Sequence, residues 1–221
     1  MQDTLVIHWI YLLPAVAMLW LPRQWLRKGA RLFKRRRLPS SAAEKLAKQG
    51  SRDPDDKSVH LRKEFTTFRN YVDFFRALAG GHGLSTYAFT VTGDGPARAA
   101  LIVEIVILVI AVAIQAVRFG GQRPGFFPPI FWFVGLSVGF PAHYAGLFAF
   151  ALVLAVNPAI PNPRLFLTAL GLLVLVVGYP FGAPLVSNSI AAGLILLVPL
   201  ASLLTKRPVV VFSRKGRSRS A

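Results

Sequence analysis

Glu104 stands in the stretch LIVEIVILVI, inside an apolar run from Ala99 to Val117, and it is the only acidic residue after Asp94. An ionisable side chain in such a run is costly, and where one occurs it pairs, relays protons or holds a ligand. On a helix, Glu104, Leu108, Ala111 and Gln115 fall on one stripe that is polar at both ends. That face is expected to look inward or toward a partner subunit. At 1.5 Å per residue, His143 in the following apolar run reaches about the same depth as Glu104. A Glu104–His143 contact, with Gln115 nearby, is expected either to relay a proton or hold a cationic ligand, or to lock two helices together by a hydrogen bond.

The rest of the chain is poor in catalytic patterns. There is no cysteine, which excludes disulfides, thiolate nucleophiles, iron–sulfur clusters and cysteine zinc sites. No H-E-x-x-H or phosphate-loop pattern occurs. Asp94-Gly95-Pro96-Ala97-Arg98 resembles the opening of the CDP-alcohol phosphotransferase signature. It is one residue short, however, and lacks the later aspartates that family uses for metal ions, so the resemblance is not carried over. His8, Gln115, Ser187, Asn188 and Ser189 are expected near the outer edge of the membrane as interhelical contacts. No catalytic residue, metal ligand or cofactor follows from these residues, and the reading leans away from an enzyme.

These side chains must be positioned by membrane helices. Hydrophobic residues make up 54% of the 221-residue chain and charged residues only 16%, against about 25% charged in a soluble domain. Seventeen of the 26 lysines and arginines lie between residues 22 and 98, and seven of the nine acids lie there too. The expected fold is therefore all-α and polytopic, with about five transmembrane helices and one basic cytoplasmic segment. The five spans are Thr4–Leu21, Ala99–Val117, Ile130–Val156, Leu165–Gly178 and Leu185–Leu204. Residues 130–156 contain Pro141 and are read as one long tilted or kinked helix in preference to two half-helices, since a re-entrant pair would put the basic tail outside. The regions are then 1–21, the first span; 22–98, the cytoplasmic segment; 99–204, a four-helix membrane region; and 205–221, a basic tail. Eight positive residues follow the first span and six lie in the tail, which predicts an outside N-terminus and a cytoplasmic C-terminus, as in a bacterial inner membrane.

Within the cytoplasmic segment, Leu61, Phe65, Phe68, Val72, Phe75 and Ala79 recur at spacings of three and four. They predict an amphipathic helix over 58–79, stopped by Gly80-Gly81. Phe65, Phe68 and Phe75, with Arg35, Arg36 and Arg37, are expected at an anionic lipid surface. Residues 84–98 predict a short strand or an extended lead-in to the second span. Gly135, Gly139, Ala142 and Gly146 make a small-residue face for close helix packing. The leading function is a non-enzymatic membrane subunit or assembly protein that binds partner membrane proteins, or its own copies, and anionic lipid. A small transporter or proton-translocating component using Glu104 and His143 is the alternative, a lipid-modifying membrane enzyme comes third, and nucleic acid is an unfavoured partner.

Overall fold

The computed structural model describes residues 4–22, 65–119, 124–160, 162–206 and 209. Arg35, Arg36 and Arg37, and residues 58–64 of the expected amphipathic helix, lie outside the described residues. The described chain is mostly helical. Strand β1 (Thr4–Ile7) leads into α1 (Trp9–Trp20); α2 (Phe68–Tyr87) is followed by β2 (Phe89–Thr92) and α3 (Asp94–Ala116). Short strands β3 (Val117–Phe119) and β4 (Pro124–Phe126) precede α4 (Ile130–Gly139), α5 (Ala145–Val156), α6 (Pro163–Gly178) and α7 (Leu185–Leu204). α3 and α7 are long and apolar enough to cross a membrane.

Packing contacts set the directions of the helices. β1 pairs antiparallel with β2, Thr4 facing Thr92 and Ile7 facing Phe89. This places the starts of α1 and α3 at one end of the molecule. At the other end Gln115, late in α3, donates to the Leu19 and Leu21 carbonyls where α1 finishes, so α1 and α3 run parallel. α2 runs against both: Arg76 reaches the end of α1, Gly80 meets Ala15 and Leu19, and His8 N–H donates to the Ala88 carbonyl. α4 runs alongside α2, with Phe74 against Gly135 and Leu78 against Gly139.

Residues 130–156 differ from the single kinked helix expected for them. They form two short antiparallel helices, Phe131 against Phe150 and Ser137 against Gly146. The break has a specific cause. His143 N–H bonds the Val138 carbonyl and Ala142 N–H bonds the Gly139 carbonyl, the paired bonds of a Schellman ending. Ala142 supplies the left-handed residue with φ 52°, and Pro141 cannot continue the ladder. α6 ends the same way, with Gly182 at φ 72°. α4 is buried on nearly every side, from Ile130 through Ser137. A helix apolar all round must be enclosed by others, and α4 is the centre around which α2, α5 and α7 pack.

The helix expected at 58–79 is shifted, and it packs by its polar and small residues, not by its aromatic stripe. It begins at Phe68 and runs through Gly80-Gly81 to Tyr87. Both glycines are buried helix–helix contacts: a Cβ on Gly80 would press on Leu19, and one on Gly81 would sit 2.9 Å from the Phe140 nitrogen. The inward face is Asn70, Asp73, Arg76, Ala77, Gly80, Gly81 and Leu84. Phe68 and Phe75 face outward, 79% and 63% exposed. A water-facing helix would present the opposite faces. The first apolar helix also starts later than expected, because Thr4–Ile7 is strand and α1 is only 12 residues long.

Candidate functional site

The described interior concentrates its polar groups where α1 ends. The last carbonyls of a helix have no partner in the helix itself, and in an apolar surround each would be costly unless another group donates to it. Arg76 and Gln115 supply those donors. The Arg76 guanidinium donates through Nη1 to the Leu21 carbonyl and, at 3.4 Å, to Met18. Its Nη2 donates to Gln115 Oε1 at 2.8 Å, and its Nε to Asp73 Oδ1 at 3.0 Å. Gln115 Nε2 donates to Leu19 and Leu21, both at 2.9 Å. Trp20 adds a bond from its indole N–H to the Ile107 carbonyl of α3. One cation thus stands at the negative end of the α1 dipole, balanced by Asp73 one turn before it on α2. Asp73, Arg76 and Gln115 are all buried. The cluster ties α1, α2 and α3 at the point where the chain leaves α1 for the basic segment.

Gln115 was expected near the end that holds His8; the structure sets it at the opposite end, because α3 begins beside β1. Asp73 and Arg76 are not among the residues that the sequence alone singles out. Their signal was present: an acid and a base three residues apart in the Phe-rich stretch YVDFFRALAGG. A helical wheel could have flagged the pair, but the same wheel fits a solvated face equally well.

Glu104 is in a different situation. It is the eleventh residue of the 23-residue helix α3, about 15 Å from the helix start and about 7 Å beyond Ala99, where the apolar run opens. Leu108, Ala111 and Gln115 of its stripe are buried, and Glu104 is half-buried at the upper edge of that face. Immediately beside it run the open residues Ile102, Val103, Val106, Val109, Ile110 and Ile114. Among the described residues its carboxyl makes no hydrogen bond or ion pair.

No hydrogen bond or ion pair joins Glu104 to His143. His143 Nδ1 instead accepts the Ala145 N–H at 3.2 Å, and its ring stacks on Tyr144 with centroids 4.4 Å apart. His143 and His82 line an open-mouthed depression of about 260 Å³ floored by Leu78, Val138 and Gly139. The small residues act inside the molecule. A Cβ on Gly135 or Gly139 would strike the Phe74 or Leu78 carbonyl, and one on Gly146 would strike Ser137. Ala142 sits in the turn after α4 and belongs to no helix face. Phe65 packs edge-on against Phe131, with centroids 5.2 Å apart, whereas Phe68 and Phe75 stay open.

At the end carrying the turns after α4 and α6, Asn188 donates to the Val174 carbonyl at 2.9 Å and fills the space above Gly178. His8 Nε2 lies 2.8 Å from the Thr90 hydroxyl, and exposed Tyr11, Tyr87, Tyr144 and Tyr179 share this end of the molecule. Comparison with protein families, curated proteins and solved structures gives no significant match. The functional reading therefore comes from the geometry alone.

Proposed function

We propose that the protein is a multi-pass membrane subunit or assembly factor, built to be held in the bilayer and to hold other membrane proteins. The observation that carries this reading is the use made of buried polar groups. Asp73, Arg76 and Gln115 are engaged in fastening helix ends to one another, whereas large apolar side chains such as Phe68, Phe75, Val106 and Leu200 are turned outward. Only 33% of the most apolar stretch of α3 and 44% of that of α7 is buried within the molecule, which suits a lipid-facing role better than a soluble core. Lipid supplies no hydrophobic drive between helices, so close glycine contacts and interhelical hydrogen bonds must do the holding. Both are present between α1, α2, α3 and α4.

In this reading five helices cross: α1, α2, α3, α6 and α7. α4 and α5 enter and leave by the same side. The number of spans equals the sequence expectation, but α2 replaces the stretch 130–156. α1 and α7 then deliver both basic segments to one side, the cytoplasmic one by the positive-inside rule, and exposed Tyr11, Tyr87, Tyr144 and Tyr179 lie at the opposite interface. Because the chain has no cysteine, single cysteines at Thr66 and Thr92 can be labelled in intact cells with an impermeant reagent. Thr92 is expected to react from outside and Thr66 only after permeabilisation; labelling of both from one side would remove α2 from the crossings.

The functional claim is tested by purification in gentle detergent and identification of what remains bound. Stoichiometric partner proteins are expected, and a lone chain would count against the reading. The second reading, a small ion- or proton-translocating component, draws on Glu104 within an apolar helix and on the broken α4–α5 pair, since such half-helices recur around translocation sites. Ion- or proton-dependent flux in liposomes that is lost on Glu104→Gln would favour it over the subunit reading.

A further inference from the structure

Resting on the subunit reading above, we infer that the open face of α3 beside Glu104 is the docking surface for a transmembrane helix of another polypeptide that carries a lysine or arginine within the membrane. Three observations converge. The first is charge. Glu104 is an acid well inside the apolar run, and among the described residues nothing pairs with it, while Asp73, the other acid in an apolar helix interior, is paired with Arg76. An acid at this position takes up a proton or acquires a partner, and a cation on a packed neighbour is the partner that keeps it charged.

The second is shape. Val103, Val106, Ile110 and Ile114 are all open and recur at spacings of three and four. They form a continuous β-branched strip of the kind a neighbouring helix packs along. Glu104 flanks this strip at the seam between the packed and open faces of α3. A helix lying on the strip would cover the half-buried carboxyl and could donate to it.

The third observation is where the cations of the described helices lie, since none of them suits a second copy as the source. The basic residues of the described helices are Arg69, Arg76, Arg98 and Arg164. Arg76 is enclosed in the clamp at the end of α1. Arg69, Arg98 and Arg164 lie in the first two turns of α2, α3 and α6, near the helix ends. None can be offered by a second molecule at the depth of Glu104. Among the described residues no second copy offers that cation, and we assign the partner as a different chain with a basic residue in a membrane helix.

The test places a photo-crosslinking phenylalanine analogue at Val103, Val106 or Ile110 of the full-length protein, with Phe68 on α2 as an open control position. Irradiation is carried out in the native membrane, and the adducts are sequenced. The expected adduct at the α3 positions is one membrane segment containing lysine or arginine. Its yield should fall about tenfold with Glu104→Gln and be retained with Glu104→Asp. Lipid adducts alone, adducts to a second copy of this chain, or a partner segment without a basic residue would each overturn the inference, as would an unchanged yield with Glu104→Gln. If partners copurify but the α3 positions crosslink only lipid, the subunit reading stands and the α3 surface is wrong. If nothing copurifies, both fall.

Discussion

Arg76 and Glu104 are both charged residues on apolar helices, and the molecule treats them oppositely. Arg76 has four neighbours for its donors: Asp73, Gln115 and the Met18 and Leu21 carbonyls. Glu104 has none among the described residues and borders an open strip. The difference arises from where each helix meets its neighbours. α2 lies between α1 and α4 with glycines in both contacts, so its polar face is pressed into the interior. α3 lies toward the outside, touching α1, α7 and the strands with one face and leaving the other open. A charge inside the first contact becomes a structural tie; a charge at the edge of the second is available to something else.

This contrast can be broken experimentally. The largest effect is expected from Arg76→Met, which leaves Asp73 buried without its cation. A loss of about 3–5 kcal/mol is expected in detergent unfolding. The double variant Asp73→Leu with Arg76→Met should recover part of that loss, and a double variant worse than Arg76→Met would show that the pair is not the tie described here. Gly139→Val drives a branched side chain into the Leu78 backbone, where neither helix can yield cheaply. It should cost at least about 1–3 kcal/mol, and a wild-type melting midpoint would contradict the α2–α4 contact. Gln115→Leu removes the donors to Leu19 and Leu21 and the acceptor of Arg76, at about 1–3 kcal/mol in the same assay.

Two smaller effects sharpen the other side of the comparison. Ala142→Gly relieves a left-handed residue and should raise stability by about 1 kcal/mol, seen as a higher unfolding midpoint. Glu104→Gln is expected to change the stability of the isolated protein by no more than about 0.5 kcal/mol. A large loss there would mean that Glu104 is an internal tie like Arg76, and the contrast between the two regions would disappear.

Several elements were legible in the sequence. Leu185–Leu204 is the predicted span to the residue, and Leu165–Gly178 differs from α6 only by the Asn162-Pro163 start, where the Asn162 side chain caps the Leu165 N–H. The stretch 84–98 contains the expected short strand. The stripe Leu108, Ala111, Gln115 is buried, as its polarity pattern implied. What was not legible has a common cause. Periodicity identifies two faces of a helix without saying which one meets protein and which meets lipid. Water would make the apolar face the inner one, whereas α2 is packed by its polar and small residues. The same ambiguity concealed Asp73 and Arg76 as a buried pair. The break at Pro141 reads as a kink in the sequence because a re-entrant pair there would put the basic tail outside. Only the paired carbonyl bonds to Ala142 and His143 turn the kink into an end.

From residue order alone came the helical class, the charge segregation, the absence of thiol chemistry and the oddity of an acid in LIVEIVILVI. Those follow from composition and local spacing, which do not depend on what lies across the fold. The partners of each polar group came from packing. The register of β1 with β2 fixes the direction of α3, and that direction puts Gln115, not Glu104, against the end of α1. Contacts separated by some 40 to 100 residues, as between Arg76 and Gln115 or Gln115 and Leu19, leave no trace in local periodicity. They exist because helix ends in an apolar surround must find donors wherever the fold can bring them.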